Sequence, residues 1–405
     1  MTPDLKRAVA AELDWARSTR HDLHRHPELS FQERRTSALV ARELTALGLR
    51  TVANLGAPVP GPPGTGVIAL LPATHAGANP RTVALRADMD ALPITEATGA
   101  PYASTNPGVM HACGHDGHTT ILLTAARVLS KVPDRPNNVV FLFQPAEEGG
   151  AGAEKLCRDG ALDGRVLGVK VDQVYGLHTW PDQPLGTIAV RNGPMLAATD
   201  DFILRVHGRG GHAAQPHLGA DPVLAAAHLI TALQSVVSRN ISPFEPAVLT
   251  VATVHAGTAN NIIPDTVELT GTLRTLSPEA RALGESAFRR VVENICAAMG
   301  CRAEINWHRG YPVTVNDPAA TDRVRRVAAS VVGPANLIER PHPTMGGEDF
   351  SYYGTHAPAS FFFLGQMKPK QASAHALHTP QFDFCDEALG VGTEMMAGLA
   401  LIPVG

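Results

Sequence analysis

Four side chains able to hold a soft or borderline cation fall in one stretch, His111-Ala112-Cys113-Gly114-His115-Asp116-Gly117-His118. A thiolate and an imidazole two positions apart, loosened by glycine, can turn toward one ion. Sulfur with nitrogen suits zinc or a neighbouring first-row metal. The spacing alone does not define a metal motif, because a His-rich turn capped by Asp116 ahead of a helix over 119–131 has the same composition. Further donors must come from elsewhere in the chain.

The elements that could deliver them are legible as short apolar runs, each followed by polar residues. They stand at 66–71, at 82–85 before Asp88 and Asp90, at 138–143 before Glu147 and Glu148, and at 173–177 before His178. Helical stretches at 121–129 and 154–159 lie between them. Apolar strands alternating with helices imply an α/β layer with a mostly parallel sheet. Ligands of such sheets sit past the carboxyl ends of the strands, where these five side chains fall. Cys113 and His115 occupy a loop running into a helix on the same edge, so the convergence favours a metal site. His375 and His378 are late candidates that spacing cannot separate.

An amphipathic helix over 4–26 ends at the His26-Pro27 step, and a second over 31–47 closes at Gly48. His21, His24 and His26 are read as imidazoles favourably placed at a helix end, not as ligands. From Asp200 the rhythm changes. A strand over 202–207 is followed by an Asp221-Pro222 helix start, strands over 247–255 and 266–275, a Ser277-Pro278 helix start and a strand over 301–307. The order β-α-β-β-α-β is ferredoxin-like. This part carries no cluster of metal donors, so it should shape, close or dimerise. His212 on its glycine turn is a loop residue unless the domain folds over the site. A helix over 317–332, a strand over 360–364 and a helix over 387–401 return to the first layer. The expected organisation is a catalytic domain, 1–195 and 309–405, interrupted by a dimerisation or lid domain, 196–308.

Composition narrows the class. The chain has 405 residues and a formal charge of -4, without a basic cluster or aromatic stacking motif, which argues against a nucleic-acid partner. No apolar run approaches the roughly 18 residues needed to span a bilayer, and no membrane association is expected. The first twenty residues lack the apolar core of a signal peptide. Five scattered cysteines make no disulfide framework, and a cytoplasmic protein is expected.

Several motifs together carry a resemblance. They are Asp22-Leu23-His24-Arg25-His26-Pro27-Glu28-Leu29, Arg86-Ala87-Asp88-Met89-Asp90-Ala91-Leu92-Pro93, the His111–His118 stretch and Gln144-Pro145-Ala146-Glu147-Glu148. Gly176-Leu177-His178, Gly211-His212-Ala213-Ala214, Asn260-Asn261-Ile262-Ile263-Pro264 and Gly346-Gly347-Glu348-Asp349-Phe350 continue it. The chain resembles, over almost its whole length, the aminoacylase/carboxypeptidase superfamily of dinuclear metallohydrolases. The nearest branch is that of hippurate hydrolases, N-acyl-amino-acid amidohydrolases and auxin-conjugate hydrolases.

The resemblance implies two divalent metal ions (zinc, manganese, cobalt or nickel) held by Cys113, His115, Glu148, His178 and His378, and so selects His378 over His375. It implies Glu147 as catalytic carboxylate and Asp90 as an outer residue orienting a ligand. His212 is expected to reach the site from a partner subunit, with Asn261 and Arg274 holding the substrate carboxylate. Elsewhere in the superfamily a His stands at the position of Asp88, and an aspartate binds both metals where this chain has its Cys-x-His loop. The implied reaction is hydrolysis of N-acyl amino acids by a homodimer or higher homo-oligomer. A dipeptidase or carboxypeptidase of the same fold is the near alternative. A metal-binding dimer without activity is the distant one, and the presence of Glu147 weighs against it.

Overall fold

Runs of β-branched and aromatic residues with no polar interruption belong to strands covered on both faces. Such runs form the centre of an eight-stranded sheet. The computed structural model describes residues 3–74, 80–369 and 374–404. The chain folds as two units: one from the segment up to Met195 with Val315–His342 and Asp349 onward, the other from Leu196–Thr314 with Pro343–Glu348.

In the first unit the strand order is Arg50–Leu55, Gly66–Leu71, Asn138–Gln144, Thr82–Asp88, Gln173–Pro184, Ala359–Met367, Ile188–Val190, Leu337–Glu339. The four in the middle, from Asn138–Gln144 to Ala359–Met367, are mutually parallel. Every residue of Gly66–Leu71 and Thr82–Asp88 is buried. Helix His115–Ser130 packs on Thr82–Asp88 and against Ala388–Leu401, which in turn meets Pro318–Val331.

Register brings the strand ends level. Asp88 pairs with Gln144, and Arg86 with Gly176, so His178 two residues on stands beside Asp88. The strand holding His178 does not stop at 177 as its apolar run suggests. It continues to Pro184 because Ala359–Met367 stays paired with it, Phe363 opposite His178. The first helix is two, Pro3–Ala10 and Leu13–Arg25. Between them the buried Glu12 is held by Arg127 and Lys131 from helix His115–Ser130 and its end. Among the described residues no helix is long and apolar enough to cross a membrane.

The second unit has the expected ferredoxin-like order: Ala198–His207, Pro222–Asn240, Ala247–Ala256, Thr266–Thr275, Pro278–Ala298, Arg302–Arg309. Its sheet is antiparallel, with Thr266–Thr275 and Ala198–His207 inside and Ala247–Ala256 and Arg302–Arg309 at the edges. Asp221 and Ser277 cap the helices through side-chain bonds to the first-turn amides. Alternating residues fill the core, where the rings of Phe202, Phe288 and Trp307 meet. A small ribbon, Gly211–His212 against Ile262–Ile263, has no strand signal in the sequence because it is only two residues long.

Candidate metal centre

The donor loop turns on glycine. Gly114 sits at φ +88° before helix His115–Ser130, and a Cβ there would come 2.6 Å from Thr179 Cγ2. Only glycine meets both demands. The helix therefore begins at His115, four residues earlier than the apolar pattern indicates, with Cys113 just before it.

Four segments of the first unit bring the expected donors together. Cys113 Sγ lies 3.3 Å from His178 Nε2 and 3.3 Å from His378 Nε2, and His378 Nε2 lies 3.1 Å from Glu148 Oε1. Ligand atoms of Cys113, His115 and His178 lie within 4.8 Å of one another, as do those of Cys113, Glu148 and His378, and those of His115, Glu147 and Glu148. Cys113, His115 and Glu148 each belong to two of these sets. Cys113, His115, Glu147 and His178 are buried, Glu148 is half-buried, and His378 is exposed.

Neighbouring groups orient the rings. His178 Nδ1 is 2.7 Å from the Thr179 carbonyl, which fixes its proton there and turns the Nε2 lone pair toward Cys113. His115 Nδ1 is 2.9 Å from the Asp90 carbonyl, so Nε2 faces the cluster. His378 is held at φ +62°, outside the usual range for a side-chain-bearing residue, by its amide's bond to the Ala112 carbonyl at 2.8 Å. His375 lines a different cavity, with Arg17, Tyr102 and Asp383.

The Glu147-Glu148 pair hangs on Asp90. The amides of Glu147 and Glu148 donate to separate oxygens of Asp90, each at 3.0 Å, and the Ser30 hydroxyl adds a third bond at 2.8 Å. Glu148 has φ -72°, ψ 75°, off the helical region, so two adjacent carboxylates leave the backbone in different directions. The Asp349 amide donates to Glu147 Oε1 at 3.3 Å.

Two atoms test whether the set fits a cation. His115 Nε2 and Glu148 Oε1 are buried and make no hydrogen bond, their nearest groups being the Asp88 carboxylate at 3.7 Å and the His378 ring at 3.1 Å. Buried polar atoms left this way call for an ion or a water. A soft thiolate, three imidazoles and a carboxylate around them match first-row divalent ions. Burial, together with the charges of Glu148, Glu147 and Asp88, pushes the Cys113 thiol well above its ordinary range. A coordinated cation would reverse that sign and favour the thiolate. Burial would lower His115, but Asp88 and Asp90 outweigh it and bring it up to about 10, so a proton competes with a cation for Nε2. His178 is pushed well down by burial and by the neighbouring His118, leaving a neutral ring.

The remaining histidines of the stretch are used otherwise. His118 Nδ1 is 2.7 Å from Asp88 Oδ1, and its Nε2 accepts the Thr179 amide at 2.9 Å. Asp88 in turn pairs with Arg86 at 2.6 Å. His24 lies between Asp116 at 2.8 Å and Glu96 at 3.3 Å, an internal ion pair and not a ligand. His111 is buried with neither ring nitrogen partnered. Sequence reasoning missed Glu33, whose contact with this site is 113 residues away along the chain.

His212, Asn261 and Arg274 lie in the second unit. His212 and Asn261 are neighbours across the small ribbon, the Ala213 amide donating to the Asn261 carbonyl at 3.0 Å. Both side chains are exposed. Arg274 pairs with Thr199, at the far end of the strand from Thr266, which pairs with His207 beside the ribbon. Those eight residues span roughly 26 Å of strand. Asn261 and Arg274 are therefore not neighbours within one chain.

An N-acetyl-L-cysteine deacetylase of Bacillus subtilis is 43% identical over 371 residues, covering 91% of this chain and 83% of that protein. An IAA-amino acid hydrolase of Arabidopsis thaliana is 37% identical over 392 residues, covering 96% and 85%. The crystal structure of a dinuclear metal-binding peptidase of the M20 family from Bacillus subtilis superposes with a TM-score of 0.79 at 35% identity, covering 97% of this chain and 98% of that one. Residues 84–402, which hold all five expected ligands, match the family model described as peptidase family M20/M25/M40. With its fold and most of its length matched in this way, the chain belongs to the peptidase family M20/M25/M40.

Proposed function

We propose that the protein is a metal-dependent amidohydrolase that cleaves N-acyl amino acids to a carboxylic acid and a free amino acid. The observation that carries this reading is the meeting of Cys113, His115, Glu148, His178 and His378, with the Glu147 carboxylate beside them and anchored separately through Asp90. Relatives whose names specify acyl amino acids as substrates support it.

Two divalent ions held by those five side chains would acidify a bound water and polarise the acyl carbonyl. Glu147 takes a proton from the attacking water and delivers it to the leaving nitrogen, so that one water is consumed and one amide bond broken. Asp90 holds the Glu147 amide and keeps the carboxylate aimed. His212 donates a hydrogen bond to the oxyanion that develops on the acyl carbon, and Asn261 and Arg274 take the substrate carboxylate. The strand length between the ribbon and Arg274 is too great for one copy to supply both ends of a small substrate. That length supports a reading in which His212 and Asn261 come from a second copy and the inserted unit acts as dimerisation and lid domain. Its edge strand Ala247–Ala256, with Val248 and Val254 exposed, favours such a pairing. A cytoplasmic location suits the five unpaired cysteines.

The test is hydrolysis of acetyl-, benzoyl- and indoleacetyl-amino acids against free dipeptides, with metal analysis alongside. Turnover of at least one acyl amino acid, lost in Glu147→Gln while the metal stays bound, is expected. Turnover of dipeptides alone, or normal turnover by Glu147→Gln, would overturn the reading.

A further inference from the structure

Three consecutive amides of the Gln144–Glu148 turn end on two buried carboxylates. Asp90 takes those of Glu147 and Glu148, and Glu33 takes that of Ala146, N to Oε1 at 2.8 Å. Glu33 is 0% exposed, precedes helix Arg34–Ala46, and receives the Thr65 hydroxyl on its other oxygen at 2.5 Å. No step of the proposed reaction uses it. Ala146 stands at φ 51°, ψ 49°, a left-handed conformation that a residue with a Cβ seldom adopts. Ala146 is fully buried, and its amide would have no acceptor without Glu33.

We propose that Glu33 is a positioning residue, which clamps the Ala146 amide and so fixes the left-handed turn from which the Glu147 carboxylate projects. The role rests on the reading of Glu147 as proton carrier. What the clamp supplies is a hydrogen-bond acceptor at a set reach, not a negative charge. Burial and the nearby Asp90 charge push Glu33 up to about 7, so a neutral form lies close at hand. Protonated Glu33 still offers an oxygen to Ala146, and glutamine reproduces it, its amide oxygen toward Ala146 and its NH2 toward the Thr65 oxygen. Aspartate keeps the charge but withdraws the acceptor by one methylene.

The test compares metal-loaded wild type with Glu33→Gln, Glu33→Asp and Glu33→Ala. It reads kcat and KM on the best acyl amino acid, metal content, and hydrogen exchange of the peptide spanning residues 144–151. Glu33→Asp and Glu33→Ala should lose kcat by about 10–100-fold with KM and metal content held, and the peptide should exchange about tenfold faster. Glu33→Gln should keep kcat and protection close to wild type. Unchanged exchange in Glu33→Asp, or a Glu33→Gln as slow as Glu33→Ala, overturns the clamp. Should Glu33→Ala fail to fold, the contrast between Gln and Asp still decides. A wild type inactive on every acyl amino acid, with exchange altered as stated, would remove the functional reading and leave the clamp standing.

Discussion

The two oxygens of Asp90 take the amides of Glu147 and Glu148 separately, each at 3.0 Å, while the Asp90 carbonyl stands 2.9 Å from His115 Nδ1. One residue thus aligns a proposed imidazole ligand, a proposed carboxylate ligand and the proposed proton carrier. In Asp90→Asn an NH2 would face one of the two amides and leave a buried donor unpaired, at a cost of about 1–3 kcal/mol. Metal affinity should fall about 10–100-fold and kcat with it, measured by metal titration and steady-state kinetics. Wild-type affinity in this variant would contradict the role given to Asp90.

The separation of His212 from Arg274 makes a prediction about subunits. Two inactive variants, His212→Ala and Glu147→Gln, should recover activity when co-assembled, because a mixed dimer then holds one complete site. Statistical mixing gives about a quarter of wild-type turnover for a twofold assembly. If the mixture stays as inactive as its parents while mixed dimers form, His212 acts within its own chain.

The buried pair of His24 with Asp116 sets a pH dependence of stability. Burial alone would lower His24, but Asp116 and Glu96 reverse it and raise the ring to about 9. Asp116 is held well below the ordinary carboxylate range against its own burial, chiefly by His24. A group raised in the folded state stabilises fully below its unfolded value, near 6.5, and that stability is lost as pH climbs through the folded value. The loss is on the order of 3 kcal/mol. Melting of the metal-loaded protein should therefore drop between about pH 6.5 and pH 9.5, and His24→Gln should flatten this part of the curve. A wild-type slope retained in the variant would assign it to another group.

Much of this centre could be anticipated because its chemistry is written locally. His115 begins a helix with Cys113 just before it, Glu147 follows an apolar strand and His178 follows an apolar run, and strand ends in a parallel sheet share an edge. The ferredoxin-like order was legible for a similar reason, since Asp221-Pro222 and Ser277-Pro278 mark helix starts whatever the tertiary context. Glu33 was not legible. Nothing in Gln32-Glu33-Arg34 distinguishes it from a surface carboxylate at a helix start, and its partner Ala146 acquires meaning only from a left-handed backbone. The break at Glu12 and the length of strand Gln173–Pro184 escaped notice likewise. Each depends on a partner from another part of the chain: Arg127 and Lys131 in one case, Ala359–Met367 in the other.

The most direct measurement is an anomalous-scattering map from crystals of the protein loaded with a divalent transition metal. Two peaks are predicted, together contacting Cys113, His115, Glu148, His178 and His378 at about 2.0–2.4 Å. Peaks that bypass these side chains, or none near Cys113 in a fully active preparation, would contradict the account.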